Sequence, residues 1–323
     1  MLHACFSRLV LVCTSAGLST GLAAPWPAWR GPEGNGVCNE TNVPLHWNAA
    51  TGVRWHVPLP GPGNSTPVVW GNSVFVTQWI PSERRCTLIC FDAKTGTVRW
   101  QTGPTLDEKE TTHDENPPCS PSPVTDGERV IVWFGSAGIF AYDFRGNLLW
   151  HRDLGRQSHP WGYASSPVLY RDLCFLNFGP GKRSFLIALD KKSGCTVWQH
   201  DLPGLEPNSK WEDVGGKPTG ARQNTDGVSD FAGSWATPAI VPAGEEDELI
   251  LSCPLKVMAW APRTGKLLWT CAGPNIGVYS SPFYRDGIVV LAANGFTNIV
   301  MAVKPGGRGD VTTTHRPWCR FMP

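Results

Sequence analysis

The chain has 323 residues, 17% of them charged, and a formal charge of +1, which gives no electrostatic reason to expect nucleic acid or an acidic membrane surface as a partner. Glycine (35), proline (29) and tryptophan (16) are abundant, a balance that favours sheets and tight turns and argues against a helical protein. The length leaves two domains or one large repetitive domain open.

Residues 1–23 read as an export signal. Arg8 ends a short basic start, residues 9–18 are mostly apolar, and "TGLAAP" supplies small residues for cleavage. The cut is expected after Ala23, since a proline directly follows Ala24. The apolar run falls far short of the ~20 residues of a membrane span. A buried N-terminal strand is the other reading of this stretch. Residues 24–46 form an N-terminal extension containing "WPAWRGPEGNG", and residues 47–323 are repetitive.

The repeat is clearest at its end. "DAKTGTVRW" at 92–100 returns as "DFRGNLLW" at 143–150, "DKKSGCTVW" at 190–198 and "APRTGKLLW" at 261–269. Trp55, Trp100, Trp150 and Trp198 step by 45, 50 and 48 residues, and a hydrophilic insertion over about 203–233 stretches the next step, to Trp269, to 71. Periods of this size indicate propeller blades or a solenoid.

Each copy reads as four strands. A proline preceded by Ser or Thr (Pro67, Pro123, Pro167, Pro238, Pro282) opens a short apolar run, and an alternating run follows a turn. A third run carries a small residue at a fixed place: Cys90, Ala141, Ala188, Ala259 or Ala302. An aspartate-to-glycine turn then leads into the tryptophan strand, with Gly96, Gly194 and Gly265 supplying the left-handed corner. The blades span about 64–100, 118–150, 163–198, 234–269 and 279–318. A sheet of four strands cannot cover both of its faces alone, so Trp55, Trp100, Trp150, Trp198 and Trp269 are expected to dock one blade on the next. The strand at Trp55 has no three strands before it, so five blades plus an orphan strand are expected, in an incomplete ring.

The motif resembles the pyrroloquinoline-quinone-like (PQQ-like) repeat, A-x-D-x-x-T-G-x-x-x-W, with "IALDKKSGCTVW" at 187–198 as its fullest copy. "WPAWRGPEGNG" is also similar to the start of secreted bacterial members of this group. The resemblance implies an all-β, four-stranded-blade propeller, related to the outer-membrane assembly lipoprotein BamB and to the quinoprotein dehydrogenases. Those dehydrogenases seat their quinone against a ring of two adjacent bonded cysteines and hold calcium with carboxylate and amide ligands. No Cys-Cys pair occurs here, so neither PQQ nor calcium is expected as a cofactor, and no catalytic residue or metal ligand is assigned. The eleven cysteines include no C-x-x-C; Cys86 and Cys90 share one strand face and read as small buried hydrophobes, with a disulfide or metal site as the other reading.

In a propeller the loops from the last strand of one blade to the innermost strand of the next gather at the mouth of the central channel. Here they are roughly 56–66, 101–120, 151–166, 199–236 and 270–281. Their candidate binding residues are Asn64, His113, Asp114, Asn116, His159, Trp161, Tyr163, Trp235 and Tyr279, since polar loops and exposed rings on one face are where such a scaffold binds. No nucleophile elbow, phosphate loop or H-E-x-x-H occurs, and "GGRGD" at 306–310 reads as a linker. The sequence thus points to an extracytoplasmic, non-catalytic binding or scaffolding module for a protein or envelope component. A quinone-dependent alcohol or sugar dehydrogenase is the alternative, and carbohydrate binding or processing a further one.

Overall fold

The computed structural model describes residues 8–12, 24–41, 43–107, 110–157, 159–202, 211–212, 218–219, 233–274, 278–293 and 298–322. The proposed cleavage site at Ala23 and most of the 203–233 insertion lie outside the described residues. Two compact units divide the chain, Met1–Gly155 and Arg156–Pro323. Among the described residues there is no α-helix, only strands and two short 3₁₀ turns at Pro81–Glu83 and Gly135–Ala137.

The first unit begins with β1 (Arg8–Val12) and β2 (Val53–Pro58), which pair antiparallel. The Trp55 strand, expected to stand without partners, therefore has one along one edge, supplied by residues read in the sequence as part of an export signal. Two four-stranded meanders follow. The first is β3 (Val68–Trp70), β4 (Ser73–Ile80), β5 (Arg85–Asp92) and β6 (Val98–Thr102); the second is β7 (Val124–Thr125), β8 (Arg129–Trp133), β9 (Ile139–Asp143) and β10 (Leu148–Arg152).

The second unit opens with a third meander, β11 (Val168–Tyr170), β12 (Leu173–Phe178), β13 (Phe185–Asp190) and β14 (Thr196–Asp201). A small hairpin of β15 (Trp211–Glu212) and β16 (Pro218–Thr219) lies in the insertion. The fourth sheet is β17 (Ala239–Ala243), β18 (Glu246–Cys253), β19 (Lys256–Trp260) and β20 (Leu267–Ala272). The fifth is β21 (Phe283–Arg285), β22 (Ile288–Ala293), β23 (Ile299–Val303) and β25 (Trp318–Phe321), with β24 (Gly309–Asp310) lying between the last two in sequence. β24 leaves that sheet to pair parallel with the outer edge of β20. Residues 306–310 are thus a strap across an exposed sheet edge rather than a linker, because an edge strand with unpaired backbone groups is stabilised by any segment that pairs with it.

Packing explains why the middle strands are apolar almost throughout. In the first sheet, Val74, Val76, Ile89 and Phe91 cover one face and pack under Trp55, Val57 and Leu59. Phe75, Leu88 and Cys90 cover the other face, against Val130, Val132, Phe140 and Tyr142 of the second sheet. Corresponding layers in the second unit join the third sheet to the fourth and the fourth to the fifth.

The repeated tryptophans fill these layers with a specific partner. The indole Nε1 of Trp55 donates to Ala93 O at 3.0 Å, that of Trp100 to Phe144 O at 2.9 Å, and that of Trp198 to Pro262 O at 2.9 Å. Each acceptor is the second residue of the hairpin turn in the next sheet. The repeated phrase therefore has two halves that meet across neighbouring copies: the ring of one docks on the turn of the next. Asp92, Asp143 and Asp190 shape their turns by accepting backbone N–H bonds, from Lys94 and Thr95, from Arg145 and Asn147, and from Lys192 and Ser193. The Arg99 guanidinium and these N–H groups hold the Asp92 carboxyl well below the usual carboxylate range.

The small residue of the third run also finds its reason. Cys90, Ala141, Ala188, Ala259 and Ala302 are the cross-strand partners of Trp100, Trp150, Trp198, Trp269 and Trp318, and all five are fully buried. A large ring beside a minimal side chain keeps the layer at crystal-like density. In the first four sheets a register shift sits next to this pair, the extra residue of a bulge.

Gly265 is required twice over, for its φ of +70° and because a Cβ there would lie 2.7 Å from the Trp198 ring. Gly265→Ala is expected to lower stability by about 1–3 kcal/mol in denaturant unfolding. Gly244→Ala, also at positive φ but with open space around it, should lose distinctly less. Equal losses would show that the ring contact contributes nothing.

Candidate functional site

The connections between sheets are held by a hydrogen-bond pattern that local sequence reading did not reveal. At three of the five strand-opening prolines, the preceding Ser or Thr accepts from the backbone of the equivalent residue one sheet earlier. Thr66 N donates to Ser122 Oγ at 2.8 Å, Ser166 N to Thr237 Oγ1 at 2.9 Å, and Thr237 N to Ser281 Oγ at 2.8 Å. Ser122, Ser166, Thr237 and Ser281 are buried. The repeated Ser/Thr-Pro signal was visible in the sequence, but its partner lies a whole repeat away.

In the first unit the structure brings Asn64 to the 111–116 loop, where its Nδ2 donates to Glu115 O at 2.8 Å. His113 and Asn116 form an isolated bridge, and His113 Nδ1 accepts from Glu115 N at 3.2 Å. Asp114 sits exposed at the tip of this turn. The loop is thus internally tied, and Asn64 joins it through Glu115 O.

In the second unit three successive connections converge on Trp235. His159 stacks edge-on against it at 4.9 Å, and Tyr279 lies at 4.8 Å with ring planes 32° apart. The Trp235 indole donates to Gly162 O at 3.0 Å and its backbone N–H to Val278 O at 3.1 Å. Trp161 N donates to His159 Nδ1 at 3.1 Å. Beneath, the buried Asn177 amide donates to both Ser234 O and Ala236 O at 2.9 Å, fixing the segment that carries Trp235. His159, Tyr163 and Trp235 are buried, whereas Trp161 is 51% and Tyr279 48% exposed. The outcome is an aromatic cluster around a buried Trp235 with Trp161 and Tyr279 half-exposed, and it contains no nucleophile–base pair among these residues.

The remaining predicted residues are structural. Trp150, Trp198 and Trp269 are buried, and Trp55 and Trp100 are half-buried. Trp269 differs from the others in its acceptor: its indole donates to Glu248 Oε2 at 2.7 Å, and the same buried carboxylate takes Gly306 N and Arg308 Nη1, each at 3.2 Å. Glu248 was not singled out from the acidic run "GEEDE", where only its place in the sheet marks it as buried.

Among the described residues, no three His, Cys, Asp or Glu side chains converge where a cation could be held. The described cysteines are free thiols, no two adjacent in sequence. The adjacent bonded cysteines against which the dehydrogenases seat a quinone have no counterpart in this sequence. Among the described residues no helix is long and apolar enough to cross a membrane.

Four-stranded antiparallel sheets docked through repeated tryptophans define a PQQ-like β-propeller. The family model described as outer membrane protein assembly factor BamB matches residues 37–160 and 182–307, most of the chain, and the chain belongs to that family. No curated protein sequence matches it. Among solved structures, a europium-containing methanol dehydrogenase is similar at 14% identity and TM-score 0.52, over 76% of this chain and 49% of its own. BamB from Moraxella catarrhalis is similar at 14% identity and TM-score 0.40, over 84% of this chain and 80% of its own. The chain spans about half the length of the methanol dehydrogenase, and at this identity the likeness extends to the fold alone.

Proposed function

We propose that the protein is an extracytoplasmic binding or scaffolding propeller that holds a protein or envelope component and performs no reaction on it. The observation that carries this reading is the convergence of His159 and Tyr279 on Trp235, with Tyr279 and the nearby Trp161 half-exposed. Large aromatic side chains on a rigid, hydrogen-bonded base are the usual anchors of a binding surface, because little conformational freedom is lost when they are covered. Membership of a family described by outer-membrane protein assembly supports a protein partner over a small substrate.

The test is retention of envelope proteins by the immobilised full chain, compared with Trp161→Ala and Tyr279→Ala. Each substitution is expected to weaken capture of the retained species at least tenfold, on the order of a hot-spot loss, with the unfolding midpoint unchanged. Retention that ignores both substitutions would remove this surface from the proposal. Dye reduction on adding quinone, calcium and an alcohol or sugar would instead establish the dehydrogenase reading, and retardation in a polysaccharide gel the carbohydrate one.

A further inference from the structure

We propose that Cys86 and Cys119 become joined by a disulfide when the chain folds under oxidising conditions, and that this bond anchors the base of the 103–118 connection. Cys86 stands near the start of β5, opposite Trp79 of β4, and its backbone N–H donates to Pro104 O at 3.0 Å. Cys119 lies at the far end of the same connection. Its carbonyl accepts from Thr77 Oγ1 at 2.8 Å, and the same hydroxyl reaches Pro121 O at 3.2 Å. Thr77 and Trp79 are two residues apart and so share one face of β4. The segment bearing Cys119 is therefore clamped beside the strand position that Cys86 faces. Both residues have zero exposure, and both belong to one apolar cluster with Leu88, Leu106 and Phe134.

Other buried cysteines differ. Cys174 and Cys253 are pushed up to about 12 by burial alone and are inert fillers. The Cys86 thiol is also raised, first by its neighbour Cys119 and then by burial, so the thiolate needed for exchange is scarce once the cluster has closed. The bond must form while the chain is folding. One thiolate attacks a disulfide oxidant such as glutathione disulfide, releasing glutathione and leaving a mixed disulfide. The second thiolate then displaces the other glutathione. Two cysteine thiols lose two protons and two electrons, and the oxidant leaves as two thiols. Once made, the bond is shielded in the cluster from reductants. The closed loop contains His113, Asp114 and Asn116, so the bond would pre-order one of the two candidate binding loops. Because the oxidant can be supplied in vitro, the proposal stands apart from the binding reading and from export.

The experiment is refolding of the full chain from denaturant in reduced and oxidised glutathione, followed by alkylation in denaturant without reduction and peptide mapping of the cooperatively folding fraction. The expected result is one linked peptide joining Cys86 to Cys119, with both residues protected from alkylation. Reduction should lower the folding constant by on the order of 10²- to 10³-fold, as for a loop of this length, and expose the 103–118 connection to proteolysis. The Cys86→Ala/Cys119→Ala protein, which retains small apolar side chains at both places, should show neither response to reductant. Alkylation of both cysteines in the folded oxidised sample, or pairing of either with another cysteine, overturns the proposal.

Discussion

Trp198→Ala is expected to lower the stability of the protein by about 3–5 kcal/mol, the range for removing a large aromatic side chain from a packed layer. The ring is buried, sits 5.6 Å from Phe175, and shares a cluster with Leu251 and Cys253. Its removal empties the space over Gly265 and leaves Pro262 O without the indole donor. Trp198→Phe separates the two contributions. It keeps most of the apolar volume and loses the hydrogen bond, so a loss of about 1–2 kcal/mol is expected. Urea unfolding followed by far-ultraviolet circular dichroism measures both. A loss below about 1 kcal/mol for the alanine variant, well under the burial term alone, would mean that the ring does not hold the third and fourth sheets together.

Glu248→Ala is expected to cost about 2–3 kcal/mol, because it strands a buried indole N–H and removes the charged acceptor that ties down the 304–311 segment. The Arg308 contribution is small, since that side chain is 61% exposed and water screens the pair. Glu248→Gln keeps an oxygen for Trp269 and should lose about half as much. The alanine variant should also release β24 from the edge of β20, making residues 304–317 the first site of limited proteolysis. Unchanged cleavage would show that the strap is held without Glu248, by its pairing with β20, the Val311 and Thr312 hydrogen bonds and burial of Val311.

Much of the fold was legible because the chain states it repeatedly. Strand order, the position of each turn and the docking role of the tryptophans follow from a pattern that recurs at nearly constant spacing. What the sequence concealed was the partner of each repeated residue. The small residues at 90, 141, 188, 259 and 302 were apparent as a column, but only register shows that each faces its own tryptophan. The Ser/Thr-Pro hydroxyls bond one repeat away, as Ser166 to Thr237 illustrates, so no local window contains both ends. Glu248 was passed over and the strap at 306–310 misjudged for the opposite reason. They replace the regular turn contact at Trp269, and an exception has no second copy to reveal it.

The candidate site was less legible than the scaffold. Composition picked out His159, Trp161, Tyr163, Trp235 and Tyr279 as unusual loop residues, yet nothing local tells a ring that packs inward from one that remains available. The structure makes that division: Tyr163 and Trp235 are covered, while Trp161 and Tyr279 are not. In the first unit, Asn64 meets the loop of His113 and Asn116 through Glu115 O, a contact between segments 51 residues apart.

The tryptophan-to-turn joint gives the architecture a polarity with a genetic corollary. Where the joint is regular, as at Trp55, Trp100 and Trp198, one copy contributes a ring and the next a receiving corner, so an excision or duplication running from one such Trp codon to the next restores an equivalent seam. A crossover displaced by half a repeat leaves a bare corner facing an unseated indole. Whole-copy gains and losses should therefore be the tolerated route by which such chains change length, and frame-preserving deletions that start mid-copy the poorly tolerated one.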